Sequence, residues 1–254
     1  MDGESKTSAM PKNKLEIIHQ DEDLIIVNKP AGLLTLPDRF KPKEKPNLKT
    51  QLDQHHGKVW TVHRLDRETS GLLVFALHED SHRHLSQQFQ ERTVVKTYLA
   101  LLDGCPAETS GTIDRPIGPN PAKAGQMMVV RKGKPSVSHY KIVEIFRQFT
   151  LAEFNIETGR THQIRVHAAA IGHPLAVDAF YGRREALYLS EIKQRGFNLA
   201  HSKEERPLLA RIALHASQLA IDHPSTQERL HFEAPLPKDF RAVLNQLNKW
   251  GKPS

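Results

Sequence analysis

A single cysteine, Cys105, stands among the 254 residues, so no disulfide can form within the chain. No apolar run approaches the roughly 20 residues that a membrane-spanning helix requires. The segment Met1 to Asn13 is polar, mixed in charge and lacks the apolar stretch of a secretory signal. Together these absences point to a reducing, cytoplasmic setting. Residues 1–13 are expected to be a disordered tail, with one domain spanning 14–254. No repeat of fixed period is visible. Zinc enzymes commonly use histidines four apart on a helix. His82 and His84 are two apart and His162 and His167 five apart, so no metal site is expected.

What the chain does have is positive charge, +7 in formal terms. A basic balance favours a polyanionic partner, nucleic acid first among them, although many proteins are basic with no such partner. Hydrophobic residues make up 38%, enough for a core at this length. Pro37, Pro42 and Pro46 alternate with Arg39, Lys41, Lys43, Lys45 and Lys49. That pattern reads as a basic loop, either touching phosphates or simply solvated.

Leu15–His19 and Leu24–Val27 read as short strands around an Asp21-Glu22-Asp23 turn. Leu72–Leu77 is an apolar run of buried-strand length, followed by a helix near 80–91 with Leu85 and Phe89 four apart. In a strand from Val94 to Leu102, Lys96, Tyr98 and Ala100 share one face and Val95, Thr97, Leu99 and Leu101 the other. Residues 103–136 hold short strands at best. Thr150–Ile156 alternates like a strand and leads into a helix over 161–171, which Gly172 can cap. Residues 183–206 read as a charged helical insertion with a loop. Leu214–Ile221 reads as a strand, and the last helix aligns Phe240, Val243, Leu244 and Leu247. Strands dominate and no strict βαβ rhythm appears. This predicts an α+β fold with a mixed, largely antiparallel sheet and flanking helices and loops around a central cleft.

The most informative stretch is His63-Arg64-Leu65-Asp66-Arg67-Glu68-Thr69-Ser70-Gly71, at the mouth of the apolar strand. A carboxylate flanked by guanidinium groups stays ionised, because opposite charge favours its charged form. Such an aspartate suits a nucleophile or an electrostatic stabiliser. It equally suits an ion pair that ties down a turn.

The stretch resembles the HRLDxxTSGL motif of RluA-type RNA pseudouridine synthases, complete at residues 63–72. Asn28-Lys29-Pro30-Ala31-Gly32 is similar to the family's KPxG. Lys96-Thr97-Tyr98-Leu99-Ala100 is similar to its KxYxA strand, and Thr158–His167 to its TGRTHQIRxH. His173-Pro174-Leu175 with Asp178 and Tyr181-Gly182 resembles HPixGDxxYG, and Leu214-His215-Ala216 a late LHA strand. The matches run in family order from about residue 15 to 235. Departures are Pro119, where PIGR is common, and the absence of an S4-type RNA-binding domain before residue 15.

The resemblance implies a pseudouridine synthase fold and isomerisation of specific uridines in structured RNA, ribosomal or transfer, without cofactor or metal. It implies a monomer that binds no DNA. In that family the N1–C1′ bond breaks, the uracil turns and C5 bonds to C1′. Asp66 takes the place of the catalytic carboxylate, by covalent attack or through a glycal. Tyr98 takes that of the tyrosine stacking on uracil, Ile164 that of the aliphatic wall, and Arg165 that of the base pairing with the aspartate. Arg64 corresponds to a residue that inserts where the flipped base was. His63, Lys29 and Arg160 join it as RNA-binding residues, the last two through phosphates.

Two other classes compete. A glycosidase needs a second carboxylate, for which Glu68 and Asp178 are the candidates. A non-catalytic RNA-binding or assembly protein on the same scaffold would be expected to have lost Asp66, Tyr98 or Arg165, and all three are present.

Overall fold

Turn chemistry starts the sheet. Asp21 Oδ1 accepts from the backbone N–H groups of Asp23 (2.8 Å) and Leu24 (2.9 Å), reversing the chain between its first two strands. The computed structural model describes residues 15–38, 41–42, 44–193, 197 and 204–253. The expected tail at 1–13 lies outside them, as do parts of the basic loop and of the charged insertion.

In chain order the elements are β1 (Glu16–Gln20), β2 (Leu24–Lys29), α1 (Leu48–His56), β3 (Trp60–Thr61), β4 (Ser70–Ala76) and α2 (Glu79–Glu91). There follow β5 (Val95–Asp103), β6 (Ser110–Asp114), β7 (Ile117–Pro119), β8 (Met127–Val129), β9 (Val137–Ile145) and β10 (Phe149–Ile156). The chain ends with α3 (Gln163–Ala170), α4 (Leu189–Ile192), β11 (Leu214–Asp222), β12 (Arg229–Glu233) and α5 (Lys238–Trp250). The fold is α+β, as the strand-dominated pattern predicts. The insertion contributes the short α4, tied back by Arg184, which reaches Asp103 at 2.8 Å and Glu191 at 2.7 Å. No helix is long and apolar enough to cross a membrane among the described residues.

One sheet carries the order β1-β2-β4-β11-β5-β10-β9-β6, with β3 beside β4 and β12 beside β11. All its pairings are antiparallel except β4 with β11. That pair touches only at Ser70–His215 and Gly71–Ala216, so the sheet forks there. One face buries Ile25, Val27, Leu73, Phe75, Ala100 and Phe154 with Leu48 and Leu52 of α1 and Ile164 and Ala168 of α3. On the other face Leu85 of α2 packs on Leu24, Ile26, Leu72 and Val74. Phe240, Val243 and Leu247 of α5 pack on Leu101, Phe149 and Leu151. The stripes of α2, α3 and α5 are those that the helical spacing predicts.

The fork depends on Gly71. Its φ is +116°, and a Cβ there would lie 2.1 Å from the carbonyl oxygen of Ala216. Only glycine allows both the dihedral and the approach.

Candidate active site

Asp66 sits in the loop just before β4, and that loop is clamped from behind by residues 29–35. Thr35 Oγ1 donates to the carbonyl of Leu65 (3.0 Å) and accepts from its N–H (3.2 Å). Gly32 N–H donates to the Arg67 carbonyl (2.8 Å), and Arg67 Nε donates to the Gly32 carbonyl (3.0 Å). Lys29 is fully buried, and its Nζ donates to the carbonyls of Pro30, Leu33 and Arg67 at 2.9–3.0 Å. Burial pushes its pKa down to about 7, while three carbonyl acceptors match the three protons of the charged form. The expected phosphate contact by Lys29 is therefore corrected. Its ammonium faces inward and holds the Asp66 loop in place.

Arg165 and Ile164 come from the first turn of α3. Gln163 fixes that turn through four hydrogen bonds. Its Oε1 accepts from Thr158 Oγ1 (2.7 Å) and Arg160 N–H (3.0 Å). Its Nε2 donates to the Val137 carbonyl (2.8 Å) and Ser138 Oγ (3.0 Å). His167 adds bonds to Ser138 Oγ and the Arg115 carbonyl, both 2.9 Å. The polar residues of the Thr158–His167 motif thus strap the helix to the sheet edge, leaving Ile164 and Arg165 to face the cleft.

Asp66, Tyr98, Arg165, Ile164, Arg64, Arg160 and His162 line one narrow slot of about 70 Å³. Tyr98, Ile156, Ile164 and Leu214 supply its apolar walls. Arg165 Nη1 lies 3.8 Å from Asp66 Oδ2, and His162 Nε2 lies 3.9 Å from the same oxygen. Both distances exceed a hydrogen bond, so the carboxylate feels positive charge without being captured by it.

The expected pairing of Arg165 is corrected in one respect, because its bidentate partner is Asp178. Nε and Nη2 donate to the two Asp178 oxygens at 2.7 and 2.9 Å. Asp178 is fully buried and also accepts from the backbone N–H groups of Phe180 (2.9 Å) and Tyr181 (3.2 Å). With both oxygens committed, it does not fit the second carboxylate of a glycosidase. The guanidinium also lies over the Tyr181 ring at 4.9 Å and the Phe180 ring at 5.5 Å.

His162 is a hydrogen-bonded residue at the cleft and also stands beside the carboxylate. It has φ +58°, and its Nδ1 meets Tyr181 Oη at 2.8 Å. Tyr181 Oη already accepts from Met127 N–H (2.8 Å), so its own proton goes to Nδ1. The imidazole then carries its hydrogen on Nε2, toward Asp66. Burial lowers its pKa, with Asp66 opposing, and keeps it neutral at pH 7. Burial, and then Asp66, raise the pKa of Tyr98, so its phenol stays protonated. Arg64 is exposed at the rim and has no hydrogen-bond or ion-pair partner among the described residues. His63 lies outside the slot, in an adjoining groove, with its ring stacked on Phe89 at 4.6 Å. A larger concavity of about 620 Å³ lies over the exposed face of α2, lined by polar side chains such as His82, Arg83 and Gln87. It brings no reactive groups together.

A flat slot with an aromatic wall, an aliphatic wall, an uncaptured carboxylate and a cationic rim defines a protein that admits a planar base carried on a polyanion. The chain belongs to the RNA pseudouridylate synthase family, whose model matches residues 23–170. It is 38% identical over 244 residues to an uncharacterized RNA pseudouridine synthase, YlyB, of Bacillus subtilis, covering 93% of this chain and 74% of that protein. It is 39% identical over 242 residues to ribosomal large subunit pseudouridine synthase D of Pseudomonas aeruginosa, covering 93% of this chain and 72% of that one. Among solved structures it is similar to human RNA pseudouridylate synthase domain containing 4. The TM-score is 0.70 at 29% identity, covering 92% of this chain and 93% of that one. The RluA-type resemblance of the motifs holds, and the chain is an isomerase of uridine in RNA.

Proposed function

We propose that this synthase acts as a monomer on ribosomal RNA in the cytoplasm and that Asp66 is its catalytic carboxylate. The observation that carries the assignment is convergence: Asp66, Tyr98 and Arg165 come from three separate elements and border one slot. The ribosomal substrate is supported by the similarity to a ribosomal large subunit synthase. Arg64 takes the place of the everted uridine in the RNA stack, for which an exposed side chain without a partner among the described residues suits it. The uracil lies between Tyr98 and Ile164.

Asp66 then either bonds to C1′ or removes a sugar proton. Either route breaks the N1–C1′ bond and starts from an anion, which Arg165 favours electrostatically. After the uracil turns, C5 bonds to C1′ as the Asp66–C1′ bond breaks on the first route, or as the sugar proton returns from Asp66 on the second. C5 then loses its proton and N1 takes one up, so the product is an isomer of the substrate. Tyr98 enters as a neutral phenol, so any proton it accepts from C5 requires it to pass its own to the facing Asp66. Exclusion of water by the slot favours rejoining over hydrolysis.

The test is tritium release from ribosomal RNA transcripts labelled at uridine C5. The wild-type chain should release tritium, and Asp66→Asn should release none while still binding RNA. Abasic sites in place of pseudouridine would mark a hydrolase. Release from transfer RNA alone would overturn the ribosomal assignment.

A further inference from the structure

Beside the slot runs a groove of about 450 Å³ that shares Arg64, Tyr98, Ile156, Gly159 and Arg160 with it. Lys96, two residues before Tyr98 on β5, lines this groove and not the slot. Strand alternation puts both on one face, roughly 7 Å apart, a separation comparable to one nucleotide unit. Lys96 is only 6% exposed. Among the described residues no acceptor lies within hydrogen-bond range of its Nζ, whose ring contact is Phe89 at 5.7 Å. Burial and the neighbouring Arg92 push its pKa down to about 8. The side chain is largely buried but its Nζ is not among the fully buried unpartnered atoms. A mostly desolvated cation without a protein anion therefore opens onto the groove, and its placement points to a partner from outside the protein.

The surroundings narrow the partner. Arg64, Arg92 and Arg160 line the groove with Lys96, against one carboxylate, Glu157. Glu157 is already engaged by His139 at 2.8 Å and faced by Arg92 at 3.9 Å. His63 accepts from Val74 N–H at Nε2 (3.2 Å), so its proton sits on Nδ1, for which the described residues offer no acceptor. Its ring stacks on Phe89, giving the groove an aromatic wall.

We propose that this groove is a second RNA subsite, holding the nucleotide next to the target uridine, with Lys96 binding its backbone phosphate and the His63–Phe89 pair facing its base. The proposal rests on RNA being the substrate of the neighbouring slot. It adds a residue that recognises the flanking backbone and takes no part in the isomerisation.

The test uses the full chain and a short fluorescein-labelled oligouridylate. Lys96→Met should weaken binding by about tenfold and lower the slope of log affinity against log salt by about one. Lys96→Arg should restore both. Melting of Lys96→Met should rise by about 2–4 °C, because the unpartnered buried charge is gone. In tritium release its KM should rise about tenfold with kcat within about threefold of wild type. Unchanged affinity and slope, or a lowered melting temperature with unchanged KM, would overturn the subsite and leave Lys96 a packing residue. If the wild-type chain bound the oligonucleotide but released no tritium, the isomerase assignment would fail while the binding arm still decided the subsite.

A second measurement needs no variant. Reductive methylation followed by mass spectrometry should label Lys96 in the free protein and spare it in the oligouridylate complex. Equal labelling in both, or none in the free protein, counts against the groove as its phosphate site.

Discussion

Arg165 serves two carboxylates in different ways. Asp178 holds it by two short bonds in full burial, and Asp66 merely faces it at 3.8 Å. The first interaction positions the guanidinium and the second exploits it. Replacing Asp178 by Asn removes the compensating charge and sets an amide N–H against a donor. The expected cost is about 3–5 kcal/mol in urea unfolding, with tritium release falling by at least about tenfold. A variant that unfolds at the wild-type midpoint would show that Arg165 does not lean on Asp178. Arg64→Ala should do the opposite, keeping stability within about 0.5 kcal/mol because the side chain is exposed and unpaired, while raising KM about tenfold. The motifs made Asp66, Tyr98, Ile164 and Arg165 legible in the sequence. They did not say which aspartate Arg165 grips, because both lie at a distance in the chain and only the fold ranks them. His162 beside Asp66 was equally hidden, since its orientation depends on a left-handed backbone angle and on a hydroxyl 19 residues away.

At the scale of elements, the decisive feature is the fork between β4 and β11. Two residue pairs hold the halves together, one of them through Gly71, five residues after Asp66. Gly71→Ala forces the β11 backbone away and carries the catalytic loop with it. It should cost about 2 kcal/mol or more in urea unfolding and depress kcat more than KM, because the carboxylate moves while the cationic rim stays. A variant with wild-type kcat would show that the loop is positioned independently of the fork. Lys29 shows what strand parity could have revealed. Ile25, Val27 and Lys29 alternate onto one face of β2, and Ile25 and Val27 lie in the core shared with α1 and α3, so the lysine points inward where charge alone suggested a phosphate. Helix α1 escaped notice because Leu48 and Leu52 are its only apolar residues. The signal was present in Asn47, whose Oδ1 caps the helix by accepting from Thr50 N–H at 2.9 Å. β9 and β12 alternate between half-buried and exposed residues for much of their length, which leaves a weak pattern to read.

Across the whole molecule, neutral histidines act as connectors where elements meet. His215 links the fork, with Nδ1 accepting from Ser70 Oγ (3.0 Å) and Nε2 donating to the Ala234 carbonyl (3.2 Å). His167 ties α3 to β9, and His63 ties the catalytic segment to β4. Burial pushes His215 down to about 4 and His63 to about 3, and lowers His162 and His167 as well. In the unfolded chain these imidazoles take protons below about pH 6.5, whereas in the fold they stay neutral until lower pH. The unfolded state therefore binds more protons in that window, and stability rises with pH through it. Acidifying from pH 6.5 toward 4 should lower the urea midpoint steadily, before the carboxylates Asp21, Asp23 and Asp239, whose pKa values are lowered in the fold, begin to protonate. His215 is fully buried, so its share is on the order of 3 kcal/mol over the full window. His215→Gln keeps an acceptor for Ser70 and a donor for Ala234 but cannot titrate. Its urea midpoint should fall less steeply between pH 6.5 and 4 than that of the wild type. Parallel curves would mean that the acid sensitivity arises elsewhere and that the histidine at the fork is not a proton-linked joint.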